Sequence, residues 1–440
     1  MIKSFYTNNT FYACLGVIIT LFVFGFFFPL LYWVAWGAFV LFLVVACIDM
    51  MFLSTLGKVI ANRIVPEKFS NGDENKISIT IENLFPFSIH TTIIDEIPFQ
   101  FQKRDFNIER KIIAKQKDSF TYQLTPNERG IYQFGKLNVF VKTPITLFSK
   151  RFTFADKVEV PTYPSFLKLR KYQWIATNAQ SAYLGFKKIR RAGNSTEFEQ
   201  IKEYVNGDDI KHINWKATAK SNQLMVNQYQ EEKSQNIYLI IDKGRVMRMP
   251  FHNMRLLDYA INASMNMAHV ILKKYDKAGL ITFSKKVDTL LKADQKTNQL
   301  VRFSEQLYAL ETDFKESDYG MLYNTLNHKI KHRSLLILFT NFETIEALNR
   351  QLPYIQRLAK KHVVLTVFFE NTELEEFVID EAKDVRNLYH KISAQKFIFE
   401  KKLIVQKLHQ HGINALLTKP EDLTIDTINK YLEIKSRGII

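Results

Sequence analysis

The stretch that decides the fold is residues 187–229, KKIRRAGNSTEFEQIKEYVNGDDIKHINWKATAKSNQLMVNQY, which separates two regions of different composition. Thr196 followed by Glu199 has the spacing of a capping box, in which both side chains accept hydrogen bonds from free backbone N–H groups at a helix start. The spacing predicts a short helix over EFEQIKEYV. The Asn-Gly pair at 206–207 would end it, because these residue types tolerate the left-handed turn after a helix.

A second helix is expected after this turn. Asp208 and Asp209 can cap it, since a negative charge is favourable at the positive end of the helix dipole. A paired acid/base or a metal pair is the alternative role of these two carboxylates. We interpret one face of this helix as core rather than as a docking surface; it carries Ile210, Ile213, Asn214 and Ala217, with Trp215 beside it. Gln223–Tyr229 then alternates in the way typical of a strand.

This run resembles the signature of a bacterial family catalogued as domain of unknown function 58. The piece ERGIYQFGKLNVFVKTPITLFSKRF, further upstream, also resembles the family pattern. Proteins of this family carry a von Willebrand factor A-like domain and are commonly encoded beside MoxR-type AAA+ ATPases. The resemblance implies that fold and that partner, but no established reaction. The signature residues are Gly193, Glu197, Phe198, Tyr204, Gly207, Asp208, Asp209, Asn214 and Trp215.

Composition narrows the classes of partner. The formal charge of +16 fits nucleic acid, an anionic membrane surface or an acidic protein. The interleaved aromatic and basic motif of single-strand binders is missing, so nucleic acid is not expected. Both cysteines, Cys14 and Cys47, lie in the apolar N-terminal region. The rest of the chain has no thiol, which fits the cytoplasm.

Residues 1–57 predict a transmembrane helical hairpin. Ser4–Ile48 contains no charged residue, and one span needs roughly 20 apolar residues. We place the spans at about 11–28 and 30–52, with Pro29 at the turn; a single long helix or a buried hairpin is the alternative. The positive residues Lys3, Lys58 and Arg63 predict that both ends face the cytoplasm, from the inner membrane. Asp49 would lie at headgroup level, and a role inside the membrane stays open.

The remaining chain divides into three parts. Short β-rich runs separated by turn residues predict a small β-sandwich over 58–164. Residues 165–234 form the signature linker segment. This segment contains a basic loop with Lys187, Lys188, Arg190 and Arg191. One interpretation is that the loop contacts acidic lipid headgroups or an acidic face of another protein. The alternative is a loop that is only solvated.

Residues 235–440 alternate apolar strands with amphipathic helices, which predicts an α/β domain with a mostly parallel sheet covered on both faces. The complete fold class is therefore a membrane-anchored multidomain protein: two transmembrane helices, a β-sandwich and a von Willebrand factor A-like, Rossmann-like domain. No Gly-x-Gly-x-x-Gly, P-loop or Gly-x-Ser-x-Gly motif supports a nucleotide or a hydrolase nucleophile. No cofactor or small-molecule ligand is predicted.

The resemblance also implies a metal site at the carboxyl edge of the sheet, with the pattern Asp-x-Ser-x-Ser and later Thr and Asp ligands. Such oxygen ligands suit Mg²⁺. Here both serines are replaced, and an amide stands where the late Asp would be. The site is therefore degenerate and predicted not to bind metal; its positions are Asp242, Gly244, Val246, Ser317 and Asn341.

These observations predict a binding or scaffold protein rather than an enzyme: an adaptor of a MoxR-type ATPase in envelope-related assembly or stress response. Without a metal, the edge loops would contact an acidic partner directly; the candidate residues are Lys243, Arg245, Asp318 and Glu343. Two alternatives remain: an enzyme that uses Asp208 and Asp209, and a basic-surface binder of nucleic acid or anionic lipid.

Overall fold

The computed structural model describes residues 4–154, 157–167, 192–206, 208–230, 234–252, 254–379 and 384–438. It divides into two compact units, Met1–Tyr163 and Pro164–Ile440. The basic loop with Lys187, Lys188, Arg190 and Arg191 lies outside the described residues, as does Gly207.

The first unit begins with a short strand and two apolar helices. Strand β1 spans Phe5–Thr7, α1 spans Asn9–Gly25 and α2 spans Pro29–Thr55. Pro29 occupies the first turn of α2, where its missing N–H costs no hydrogen bond. Helix α2 is long and apolar enough to cross a membrane, and only 17% of its most apolar stretch is buried within the protein. Helix α1 is apolar but shorter, at 17 residues.

Strands follow in close succession. Their bounds are β2 Val59–Ile64, β3 Phe69–Ser70, β4 Asn75–Asn83, β5 Ile89–Asp95, β6 Asn107–Ile112, β7 Lys117–Leu124, β8 Gly130–Phe134, β9 Leu137–Lys142, β10 Phe148–Phe154 and β11 Val158–Tyr163. They form three sheets with the orders β1-β10-β9-β5-β6, β2-β4-β7 and β3-β11-β8. Inward side chains of all three meet in one core, while alternate residues face outward. The predicted β-rich region is confirmed.

The loop between β9 and β10 packs against the two helices. Its side chains Ile145 and Leu147 contact apolar residues of α1 and α2. Asp49, fully buried near the end of α2, accepts hydrogen bonds from the Thr143 hydroxyl and, at 2.9 Å, from the Phe148 N–H. Both acceptor oxygens of Asp49 are thus used to hold this loop. Asp49 therefore has structural partners inside the protein, a role that the sequence did not predict, and its position at headgroup level stays a prediction.

The helix predicted over EFEQIKEYV is wrong. The chain instead forms strand β12, Ala192–Glu203, and β13 spans Met225–Gln230 as expected. The two strands pair antiparallel, with Ile201 opposite Asn227 and Glu203 opposite Met225. The local capping signal is overridden because the ladder with β13 satisfies the backbone groups of both strands.

The second part of this segment is shorter than predicted. A 3₁₀ turn covers Ile210–His212, and α3 starts only at Trp215 and ends at Ser221. Asn214 separates them in an extended conformation, and its side-chain oxygen accepts from the Ala217 N–H at 3.0 Å. The expected single helical face therefore does not form.

The alternation of strands and helices predicted for the last part of the chain is observed. The bounds are β14 Asn236–Asp242, β15 Pro250–Phe251, β16 Met254–Arg255, α4 Leu256–Lys273, β17 Lys277–Phe283, β18 Val287–Asp294, α5 Gln299–Tyr308, α6 Tyr319–Lys329, β19 Leu335–Phe339, α7 Ile345–Lys361, β20 Val363–Phe369, α8 Thr372–Ile379, α9 Val385–Gln410, β21 Asn414–Thr418 and α10 Leu423–Ser436.

Six of these strands form one sheet with the order β18-β17-β14-β19-β20-β21. All neighbours are parallel except the edge strand β18. Alternate residues of β14 enter two separate cores, with Leu239 in one and Ile240 in the other. Helices α4, α5 and α10 cover the first face and α6, α7 and α9 the second, so β14 lies at the centre of the unit.

Candidate functional site

The carboxyl ends of the parallel strands bring polar residues to one edge of the sheet. Asp242 ends β14, Ser284 follows β17, Thr340 follows β19 and Glu370 follows β20. Ligands of open α/β sheets bind at this edge. This edge is therefore the candidate functional site of the second unit.

Asp242 is the centre of a buried hydrogen-bond network at this edge. One carboxylate oxygen accepts from the Ser317 hydroxyl and, at 2.8 Å, from the Gly244 N–H. The other accepts from the Thr340 hydroxyl at 2.7 Å and the Tyr319 hydroxyl at 3.3 Å. The structure thus brings the predicted positions Asp242 and Ser317 together and adds two hydroxyls that the sequence did not single out.

Burial sets the protonation behaviour of this network. Burial raises the pKa of Asp242, and the four hydrogen bonds oppose that shift because they favour the carboxylate. Burial, followed by the nearby Asp242 charge, raises the pKa of Tyr319 well above its usual value. Tyr319 therefore stays protonated, and able to donate a hydrogen bond, at neutral pH.

Gly244 permits the close approach of Ser317. A Cβ atom added at Gly244 would lie 2.2 Å from Ser317 Oγ and 3.1 Å from the Asp242 carboxylate. A serine at this position, as in the metal-binding pattern, would collide with the hydroxyl that now reaches Asp242. The Ser317–Asp242 hydrogen bond therefore depends on a glycine at position 244.

The residues at this edge do not fit a divalent cation. Gly244 offers no side-chain oxygen and Val246 is apolar, whereas Mg²⁺ needs several hard oxygen ligands. The oxygen of Asn341 is already an acceptor for the Lys401 ammonium. Within the described ranges, no three His, Cys, Asp or Glu side chains form a group able to hold a metal ion. The donors around Asp242 take the place that a cation would need.

A cavity of about 360 Å³ lies beside this network. Its walls are mainly apolar and include Phe251, Phe369 and Phe397, with Lys401 of α9 as a cation at the polar end. Burial lowers the pKa of Lys401 to about 8, and the charge of Glu343 partly opposes that change. The edge therefore offers an apolar pocket next to charged groups.

The four candidate partner-binding residues have different surroundings. Lys243 forms an ion pair with Asp288 at 2.6 Å, so the prediction that Lys243 is a free cation is wrong. Arg245 is exposed, and no carboxylate of the described residues pairs with it. Asp318 caps α6 by accepting from the Met321 N–H at 2.9 Å. Glu343 is exposed at the rim of the cavity.

The carboxylates of the signature segment have structural partners. Asp208 accepts from the Lys202 ammonium at 2.8 Å and from the Val205 N–H at 3.0 Å. The Lys202 hydrogen bond is the main cause that lowers the pKa of Asp208. Asp209 caps the 3₁₀ turn by accepting from the Lys211 N–H at 3.0 Å. The expected capping of the next helix is therefore wrong for both residues: Asp208 bonds back to Lys202 and Val205, Asp209 caps only the 3₁₀ turn, and the helix cap is Asn214.

Other signature residues stabilise the antiparallel pair of strands β12 and β13 or lie at its surface. The Tyr204 N–H donates to the Leu224 carbonyl at 2.8 Å, and the Asn214 amide donates to Asn227 at 2.8 Å. Gly193, Glu197 and Phe198 lie in β12. The interpretation of Trp215 and Ile210 as core is wrong, because each is 70% exposed. The break at Asn214 turns these side chains outward instead of aligning them on one helix face.

Three residues of the edge escaped the sequence analysis. Thr340 directly follows β19 and Tyr319 follows the Ser317-Asp318 pair. A search for hydroxyl-bearing residues close to the ends of the predicted strands would have identified both. Lys401 could not be found in this way. It lies 60 residues from its partner Asn341, and only the packing of α9 on the sheet brings them together.

Comparisons with known proteins agree with the signature. Residues 200–377 match the model of the family described as protein of unknown function DUF58, which confirms the predicted resemblance over that part of the chain. A curated relative, uncharacterized protein YeaD of Bacillus subtilis (strain 168), is 21% identical over 239 residues. The match covers 52% of this chain, which spans 58% of the length of that relative.

Two solved structures show weak likeness. The conserved hypothetical protein BatB from Bacteroides thetaiotaomicron is 12% identical, with a TM-score of 0.30, over 46% of this chain and 98% of its own. The CARDB domain of the PF1109 protein from Pyrococcus furiosus is 16% identical, with a TM-score of 0.19, over 24% of this chain and 90% of its own. Neither score supports a conclusion about function.

Proposed function

We propose that the chain is a membrane-anchored scaffold with a von Willebrand factor A-like domain, an adaptor that binds a MoxR-type AAA+ ATPase in envelope-related assembly or stress response. One observation carries the proposal. At the edge where ligands of such sheets bind, the central carboxylate Asp242 is saturated by protein donors, whereas Arg245 beside it is exposed and unpaired among the described residues. This arrangement suits contact with a protein surface.

The edge combines two kinds of contact. Arg245 can approach an acidic face and form charge-assisted hydrogen bonds with its carboxylates. The neighbouring cavity, walled by Phe251, Phe369 and Phe397, can take an apolar side chain of the same partner. Apolar anchors in pockets surrounded by polar contacts are typical of protein interfaces. The ATPase itself comes from the family resemblance.

The hairpin supplies the anchor in this proposal. Leu30, Trp33 and Leu41 of α2 are mostly exposed, and so are Val17 and Val23 of α1. Two helices that are apolar on their outer surfaces are stable in lipid and unfavourable in water. The proposal is that α1 and α2 cross the inner membrane as two spans, with both ends in the cytoplasm.

Reporter fusions test this topology. Fusions after Lys58 and after Ile440 are expected to be active only with a cytoplasmic reporter, because Lys3 and Lys58 flank the hairpin on one side. A third fusion near Phe27, in the turn between the helices, is expected to be active only with a periplasmic reporter. Periplasmic activity at Lys58 or Ile440 would contradict the two-span arrangement.

Charge reversal at the edge tests the partner. We expect Arg245→Glu to lower recovery of the co-encoded ATPase by the full-length, detergent-solubilised chain roughly tenfold, since like charges would then face each other. Recovery by the unaltered chain should also fall with added salt, because exposed charges are screened over about 10 Å at 0.1 M. Recovery is measured by quantitative pull-down.

The matched control is Lys331→Glu, which reverses an exposed charge just before β19, at the opposite edge of the sheet. Equal recovery with all three proteins would place the interface elsewhere. If the unaltered chain recovers no ATPase at low salt, the partnership itself is wrong. Arg245 is preferred to Lys243 for this test because Lys243→Glu would also set two carboxylates against each other at Asp288.

A further inference from the structure

The first unit holds an open cleft of about 570 Å³ between its sheet and the start of α1. One wall is the outer face of strands β5, β6 and β9; the other is formed by Thr7–Thr10. The cleft is strongly polar, in contrast to the apolar surface of α1 that begins immediately beside it. Its position at the start of an apolar helix is the first observation.

Two lysines and a histidine form a row across this wall. His90 of β5 lies directly opposite Lys111 of β6 and also directly opposite Lys142 of β9. Directly opposite residues of antiparallel strands share one face, so Lys111 and Lys142 lie on the same face of the sheet, one on each side of His90. Among the described residues, neither lysine forms an ion pair, and Glu109 is the one carboxylate that lines the cleft. An anion in the cleft would be attracted by both lysines.

The opposite wall also favours an anion. Helix α1 has no side-chain cap and no acidic residue in its first turn. The Asn8 amide, placed at the N-cap, donates instead to the Thr146 carbonyl at 3.0 Å. The Phe11 N–H donates to the Asn8 carbonyl at 3.0 Å, but the Asn9 and Thr10 N–H groups have no acceptor among the described residues, and helix N-termini bind phosphate through such groups. Thr7 and Thr10 add hydroxyls to the same wall.

We propose that this cleft binds the headgroup phosphate of an anionic phospholipid. The inference rests on the membrane anchoring in the proposed function, and it adds a ligand that the anchoring alone does not require. A lipid fits better than a soluble phosphate because α1 continues from the cleft as an apolar surface along which acyl chains can lie. Tyr12, exposed in the first turns of α1, has the amphipathic ring that sits well at headgroup level.

Native mass spectrometry of the full-length chain in detergent tests the site. Phosphatidylglycerol is titrated against the unaltered chain and against Lys111→Ala/Lys142→Ala. We expect roughly tenfold or more weaker binding by the double variant, because each basic residue near an anionic lipid contributes substantially to its attraction. The matched control is Lys103→Ala/Lys117→Ala, which removes two exposed lysines outside the cleft and should bind as the unaltered chain does.

Further arms separate the outcomes. Phosphatidylcholine should bind the unaltered chain no better than it binds the cleft variant. Equal affinity of both double variants for phosphatidylglycerol would overturn the site, and so would glycerol phosphate that competes as well as the lipid. Alkaline carbonate extraction of the membranes tests the anchor separately. Release of the unaltered chain from the membranes would contradict both the anchor and the lipid site. Retention in the membranes, together with equal binding of phosphatidylglycerol by the two double variants, would contradict the lipid site alone.

Discussion

Replacing Asp242 by alanine is expected to lower the free energy of unfolding of the Pro164–Ile440 unit by about 3 kcal/mol or more. The Gly244 N–H and the Ser317 hydroxyl would lose their acceptor, and each buried donor left unpaired costs about 1–3 kcal/mol. Tyr319 and Thr340 would keep the 2.7 Å hydrogen bond between them. The loss is therefore concentrated on one of the two carboxylate oxygens.

Asp242→Asn is the matched variant and is expected to be close to neutral in stability. Its amide oxygen can accept from Gly244 and Ser317, while its NH₂ group can donate to the Tyr319 and Thr340 hydroxyls, which are able to accept. The neutral amide also avoids the burial of charge that raises the pKa of Asp242.

Hydrogen exchange of β14 and β19 peptides in the full-length chain, followed over a denaturant series, measures both variants. Alanine should increase exchange strongly in both strands, and asparagine should not. If asparagine were as damaging as alanine, a charge-dependent role, such as binding a cation, would replace the structural one.

Replacing Asp49 by alanine is expected to release the β9–β10 loop from the helices. The Thr143 hydroxyl and the Phe148 N–H would lose their buried acceptor, which costs about 2–6 kcal/mol for two donors. The measurement is hydrogen exchange of residues 143–150 in the full-length chain in lipid nanodiscs. We expect faster exchange there, since Ile145 and Leu147 would be held by apolar contacts alone.

Two controls make this result specific. Asp49→Asn retains one acceptor oxygen and should exchange at an intermediate rate. Asp105→Ala removes an exposed carboxylate of the same unit and should leave residues 143–150 unchanged. Unchanged exchange in Asp49→Ala would mean that apolar packing, rather than the carboxylate, fixes the loop.

Signals carried by long stretches of sequence were sufficient to predict much of the fold. The uncharged run at the N-terminus contains α1 and most of α2, and the strand–helix alternation from β14 to α10 is observed, because burial patterns over ten or more residues outweigh local exceptions. The position of Asp242 at a strand end could likewise be read directly from the sequence.

The errors come from contacts between distant residues. Thr196 and Glu199 carry a valid helix-start pattern, but pairing with β13 decides the conformation of that segment. The exposure of Trp215 depends on one break at Asn214. The Lys243–Asp288 ion pair joins the loop after β14 to strand β18, and their proximity depends on the pairing of β17 with its neighbours, so no spacing in the sequence could predict it.

The two hydrogen bonds of Asp49 also set an order of events during synthesis. Their donors lie 94 and 99 residues further along the chain, so α2 leaves the ribosome long before Thr143 and Phe148. A charged side chain at the middle of a membrane helix costs about 2.5–3.5 kcal/mol, so in the proposed topology an unpaired Asp49, near the end of α2, favours the aqueous side. In the proposed topology the end of α2 can therefore be fixed to the β9–β10 loop only after that loop has been synthesised.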